Sequence, residues 1–154
     1  MTAQIAYARL RAAAESGTLA ALCDRHRILL VTVFGSVVYQ EVTGDERSTA
    51  TAPPHDLDIA VFFDPGAIKT ESTTLVDVVN DLMDLTLFDR VDVMVLNRAG
   101  VVAKDQALSM GVPLFEAEPT MYARMQMAAS TQRMDTAALR RANLELMAEG
   151  SVLR

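Results

Sequence analysis

The run Asp56-Leu57-Asp58-Ile59-Ala60-Val61-Phe62-Phe63 constrains the fold of this chain more than any other segment. Its alternation is that of a β-strand, in which successive side chains point to opposite faces. Leu57, Ile59, Val61 and Phe63 then enter a core while the carboxylates of Asp56 and Asp58 emerge together on the other face. Like charges that close repel, so the pair calls for a cation. For an all-oxygen site the natural candidate is Mg²⁺, which keeps several waters and shares its other positions with substrate phosphates.

At 154 residues, 51% of them hydrophobic, the chain fits one domain (1–154) with a buried sheet covered by helices. Its core is expected at about 26–117 and a helical tail at about 119–149. The net charge of -6 argues against strong direct nucleic-acid binding, which draws its affinity from many Lys and Arg side chains on phosphates. A nucleotide held through a metal is compatible with that charge. Cys23 is the single cysteine, which rules out an intramolecular disulfide and a cysteine-based zinc cluster. The N-terminus lacks the charged-then-apolar order of a signal peptide, and apolar runs such as Ile28 to Phe34 are too short to cross a bilayer as a helix. The expectation is a soluble, cytoplasmic protein without membrane partners.

Periodicity and punctuation give the order of elements. Thr2 to Asp24 reads as helix interrupted at Gly17, and Ile28 to Phe34 as a buried strand. Thr43 to Pro54 is polar, with paired prolines, and reads as an exposed loop. Glu71 to Leu85 carries Leu75, Val78, Val79, Leu82, Met83 and Leu85 at helical spacing, with Asp77, Asp81 and Asp84 facing solvent. Arg90 to Leu96 alternates again, with Val91, Val93 and Val95 on one face and Asp92, Met94 and Leu96 on the other. A helix over Ala99 to Met110 closed by Gly111, and a strand over Val112 to Glu116, follow. The chain is helical from Pro119, with a break near Asp135-Thr136 and an apolar stripe of Leu139, Ala142, Leu146 and Met147 beyond it. His26, between Arg25 and Arg27, reads as a surface residue; His55 either packs or touches substrate. The tail's methionines suit adaptable core or interface, and Arg124, Arg133, Arg140, Arg141 and Arg154 suit an acidic partner or a solvated face.

Phe34-Gly35-Ser36 ends the first strand where a helix begins, a place where backbone N–H groups and a hydroxyl can cradle phosphate. Alone, Gly-Ser reads better as an ordinary turn, and Asp-x-Asp better as a solvated strand face. Their order along the chain is more telling: strand, Gly-Ser, helix, strand with two aspartates, helix, strand with Asp92. Val33 to Ser36, His55 to Val61 and Arg90 to Leu96 resemble the polymerase β-like nucleotidyltransferases, and in particular the minimal nucleotidyltransferases that act as antitoxins to HEPN-type ribonuclease toxins. The resemblance implies an α/β (α+β) nucleotidyltransferase fold, a small mixed sheet flanked by helices. It implies that Gly35 and Ser36 bind the triphosphate of ATP, that Asp56 and Asp58 hold Mg²⁺, and that Asp92 serves a second metal and the incoming hydroxyl. It further implies transfer of AMP to a tyrosine of a cognate HEPN-type toxin, and the sequence leaves open whether the chain forms a homo- or hetero-oligomer. The alternatives are an antitoxin that neutralises its toxin by binding alone, and transfer to a small molecule. After Gly35-Ser36, where such proteins usually carry Arg and a second Gly, this chain has Val37-Val38-Tyr39-Gln40.

Overall fold

The computed structural model describes residues 1–43, 54–67 and 71–152. Helix α1 (Ala3–Ser16) starts at Thr2, whose hydroxyl accepts the Ile5 N–H at 3.4 Å, and stops at Gly17, where φ of 86° takes the left-handed conformation that glycine adopts without a Cβ clash. The chain turns there into α2 (Thr18–His26), so the interruption at Gly17 is a true cap between two helices. Strand β1 (Ile28–Phe34), helix α3 (Ser36–Thr43), strand β2 (Leu57–Phe63), helix α4 (Glu71–Thr86) and strand β3 (Val91–Val95) follow. A short 3-10 turn over Leu96–Arg98 leads to α5 (Val101–Ser109), β4 (Val112–Glu116) and the long α6 (Met121–Val152).

The sheet order is β3-β2-β1-β4. β1 runs antiparallel to both β2 and β4, whereas β2 and β3 are parallel and are joined through α4, so the sheet is mixed. Alternation decides what each face meets. Val31, Val33, Leu57, Ile59, Val61 and Phe63 pack with Leu10 and Leu19 of α1 and α2 and with Val78 and Leu82 of α4. On the opposite face Leu30, Ala60 and Leu96 pack with Ala107 and Leu108 of α5 and Ala129 of α6. Asn97 locks the end of this arrangement. Its Oδ1 accepts the Phe63 N–H at 2.9 Å and its Nδ2 donates to the Phe63 carbonyl at 3.0 Å, carrying the β2–β3 pairing two residues past the last residue of β3.

Several sequence expectations are corrected. No break occurs at Asp135-Thr136: α6 is continuous, because the Thr136 hydroxyl bonds back to the Gln132 carbonyl at 2.8 Å instead of capping a new helix. Arg140 reinforces that stretch through the Thr136 hydroxyl and, at 2.9 Å, the Arg133 carbonyl. The helix starts at Met121, two residues later than Pro119, and α5 ends at Ser109 with Met110 closing it onto Gln106 at 3.1 Å, ahead of Gly111. His26 is no surface residue, since its ring is 11% exposed and Nε2 lies 2.5 Å from Asp81. Asp81 accepts from His26 and from Arg25 at 3.0 Å, and these hydrogen bonds hold its carboxyl below the usual carboxylate range. The loop expected over Thr43 to Pro54 lies outside the described residues from 44 to 53. Among the described residues no helix is long and apolar enough to cross a membrane.

Candidate active site

Strand register brings the sequence-predicted residues to one end of the sheet. Phe34 at the end of β1 is paired with Asp58 of β2, and Asp58 is paired with Asp92 of β3. Partners in register share a face, so the carboxylates of Asp58 and Asp92 stand side by side on the face that also carries Ala60, Met94 and Leu96. Asp56, two residues upstream of Asp58, lies just outside the strand and is exposed.

Gly35 closes the third side. Its φ of 82° turns the chain sharply out of β1 into α3, and its Cα lies against Asp58: a β-carbon there would collide with Oδ2 and sit 3.1 Å from Cγ. Only glycine allows both the turn and the approach. The first α-helical bond after this turn runs from the Tyr39 N–H to the Gly35 carbonyl at 3.1 Å. The N–H groups of Ser36, Val37 and Val38 therefore lie ahead of the helical ladder, at the positive end of the helix dipole. Ser36 is exposed, while Val37 and Val38 are each only 2% exposed and anchor α3 in the core.

The electrostatics match a site waiting for positive charge. Burial, and after it the neighbouring carboxylates of Asp92 and Asp56, pushes the Asp58 carboxyl above its ordinary range. Among the described residues none of the three aspartates makes an ion pair or hydrogen bond with a basic side chain. Nor do any three His, Cys, Asp or Glu side chains among the described residues form a closed metal cluster. Mg²⁺ does not demand one: it is commonly held by one or two carboxylates together with water and the phosphates of its substrate. Adjacent carboxylates lacking cationic partners, beside a helix N-terminus, fit that ion, and Asp56, Asp58 and Asp92 are the residues that would hold it.

A mixed sheet with a Gly-Ser turn at the end of β1 and aspartates at the starts of β2 and β3 fits a nucleotidyltransferase fold. The sequence matches the polymerase beta nucleotidyltransferase family over residues 18–120, and the chain belongs to that family. Similar folds are found in solved toxin–antitoxin structures. One is a toxin–antitoxin with AMP-PNP, at 20% identity and a TM-score of 0.61, covering 84% of this chain and 94% of that one. Another is a complex of a tri-AMPylated Shewanella oneidensis HEPN toxin with an MNT antitoxin, at 18% identity and a TM-score of 0.61, covering 89% and 98%. An MntA–HepT toxin–antitoxin gives 18% identity and a TM-score of 0.59, covering 85% and 94%. No curated relative matches the sequence.

Sequence reasoning missed an ionic anchor between α5 and α6. Asp105 of α5, 7% exposed, accepts from Ser109 at 2.9 Å and from Ser130 at 2.8 Å, and pairs with Arg133 of α6 at 2.8 Å. The Ser109 spacing of one helical turn was visible in the sequence; the partners on α6 were not. Three of the tail's arginines are thus engaged within the chain: Arg133 with Asp105, Arg124 with Glu118 at 3.4 Å, and Arg140 along its own helix.

Proposed function

We propose that this chain is a Mg²⁺-dependent nucleotidyltransferase that moves AMP from ATP to a tyrosine of a HEPN-type toxin and thereby acts as its antitoxin. The observation that carries the reading is the register Phe34–Asp58–Asp92, with Gly35 pressed against Asp58 at the start of α3. Family membership supports the reaction class, and the fold's likeness to structures holding AMP-PNP and a tri-AMPylated toxin supports the donor and the acceptor.

Gly35 and the first turn of α3 receive the triphosphate, with the Ser36 hydroxyl and N–H groups as donors. Mg²⁺, when bound, neutralises charge on the phosphate oxygens, held by Asp56, Asp58 and Asp92. Asp92, on the outermost of the three strands, orients the acceptor hydroxyl and takes part in removing its proton. A tyrosine hydroxyl has an unperturbed pKa of about 10, so at neutral pH it needs that help. The phenolic oxygen forms a bond to the α-phosphorus, the bond to the bridging oxygen of the β-phosphate breaks, and pyrophosphate leaves in line. Incubation with ATP labelled at the α-phosphate, Mg²⁺ and the protein encoded beside this chain should label that protein; an unlabelled but intact partner would remove the catalytic reading.

One observation favours a second reading, neutralisation by binding alone. The first turn of α3 contains Val37 and Val38, both buried in the core, and offers the triphosphate no cationic side chain. Under that reading Asp58→Asn would leave neutralisation intact.

A further inference from the structure

The sheet ends in two unlike edges. β4 carries devices that blunt an edge: Pro113 lacks an N–H, and the pairing with β1 slips between Val31 and Thr32. β3 carries none of these. Among the described residues it pairs with β2 alone, over Val91–Val95 and without a register shift. Its sequence Val-Asp-Val-Met-Val has no proline, glycine or lysine, and its one charged side chain is Asp92 of the candidate site.

One bond fixes which backbone groups of β3 face outward. The Leu57 N–H donates to the Arg90 carbonyl at 2.9 Å, so the backbone of residue 90, and by alternation that of Asp92 and Met94, is turned toward β2. The N–H and C=O groups of Val91 and Val93 therefore point away from the sheet, and among the described residues they have no partner. Their side chains lie on the face packed by α4 and are only partly buried, whereas Leu57, Ile59 and Val61 beside them on β2 are fully buried.

We infer that this edge takes the acceptor as a fifth strand: an extended polypeptide segment, antiparallel to β3, with its tyrosine opposite Asp92. The inference rests on the nucleotidyl-transfer reading above and names how the protein acceptor is held. Hydrogen-bonded pairs at Val91 and Val93 make the position opposite Asp92 a non-hydrogen-bonded pair, in which the Cα atoms approach to about 4.5 Å and the side chains share a face. Backbone register alone then delivers the acceptor side chain to the carboxylate face. Asp58 lies two strand spacings, about 10 Å, from such a segment, so a tyrosine spans most of the distance and a serine hydroxyl does not. The residues flanking the tyrosine meet Val91 and Val93 on the opposite face, which favours apolar or β-branched neighbours. A second copy of this chain fits the edge less well, because β3 against β3 sets two groups of carboxylates on one continuous face.

Val93→Pro tests this, because the N–H it removes points outward and the ladder to β2 stays whole. The probe is the protein encoded beside this chain, with AMP transfer measured from labelled ATP and binding by calorimetry. The variant should raise KM for that protein about tenfold or more while Mg²⁺–ATP binding is unchanged. A folded variant with native KM for the acceptor would overturn the proposal. Should Val93→Pro fail to fold, a peptide spanning the labelled tyrosine decides. N-methylation of the two residues flanking the tyrosine should raise its KM about tenfold, and N-methylation of the tyrosine itself, whose N–H faces away from β3, should not. Equal effects, or a peptide left unlabelled by a chain that labels the intact protein, would overturn the extended segment. A native dimer that Val93→Pro dissociates, with KM for the acceptor unchanged, would give the edge to a second copy instead. If the native chain binds the neighbour without labelling it, the transfer reading fails, while weaker binding by Val93→Pro still upholds docking on β3. A native chain that neither binds nor labels it overturns both.

Discussion

Gly35 and Asp58 are packed so closely that no side chain fits between them: a β-carbon on Gly35 would collide with Asp58 Oδ2. The contact joins the turn proposed to receive phosphate to the central carboxylate, so position and charge are set by one steric relationship. Gly35→Ala should therefore cost stability, by about 1–2 kcal/mol for the left-handed φ alone. It should also push Asp58 aside and lower AMP transfer by roughly 100-fold, the scale expected for an ångström of misplacement. Chemical denaturation and transfer kinetics on the same preparation would show both effects; near-native transfer would mean that the close approach is irrelevant to the site.

Asp58→Asn should have opposite effects on stability and activity. Crowding by Asp92 and Asp56 and partial burial oppose the Asp58 charge, so the neutral amide should raise the melting temperature of the metal-free protein. Mg²⁺ with ATP should stabilise the native protein and leave the variant's melting temperature nearly unmoved. A variant that melts lower than native without metal would show that the Asp58 charge supports the fold.

Thr32 is fully buried in β1, and among the described residues its hydroxyl has no hydrogen-bond partner. Valine has the same shape without the polar atom, so Thr32→Val should be stabilising by roughly 1 kcal/mol, measured by urea denaturation. A loss of stability would point to a hydroxyl partner within the core.

Asp105 gives the acid limb of stability. Hydrogen bonds from Arg133 first, then Ser130 and Ser109, hold its carboxyl below the ordinary value of 3.8. A carboxyl lowered by folding adds stability that is present above its unfolded pKa and is lost as pH falls toward its folded one. Asp105→Asn should thus cost about 1–3 kcal/mol at pH 7, with native and variant converging in acid. A pH-independent gap between them would assign the effect to packing alone.

Cys23 is fully buried, and burial with the nearby Asp24 charge pushes its thiol up to about 12. It should resist thiol reagents at neutral pH until the chain unfolds, at a rate that tracks opening of α2. Rapid labelling of the native protein would contradict the packing of α2 against β1.

Much of this arrangement was legible in the sequence, because two-residue alternation marks strands and faces directly. The alternation placed Asp58 and Asp92 on strands, Asp56 falls one residue ahead of β2, and Gly35-Ser36 marked the turn. What alternation does not carry is pairing at a distance. The partners of His26 and Asp105 lie 55 and 28 residues away, in Asp81 and Arg133, and nothing local to either histidine or aspartate announces them. The continuity of α6 was likewise hidden, since Asp-Thr has cap chemistry and only the back-bond from Thr136 to Gln132 shows that the helix runs through. Strand order also eluded local reading: the adjacency of Asp58 and Asp92 depends on β2 and β3 being parallel neighbours.

The most direct measurement of the central claim is transfer of α-phosphate label from ATP to the protein encoded beside this chain, comparing native chain, Asp58→Asn and Asp92→Asn in the presence of Mg²⁺. The account predicts labelling of a tyrosine by the native chain and a loss on the order of 100-fold or more in each variant, with folding intact. Labelling that survives both substitutions, or native chain that leaves a bound partner unlabelled, would contradict it.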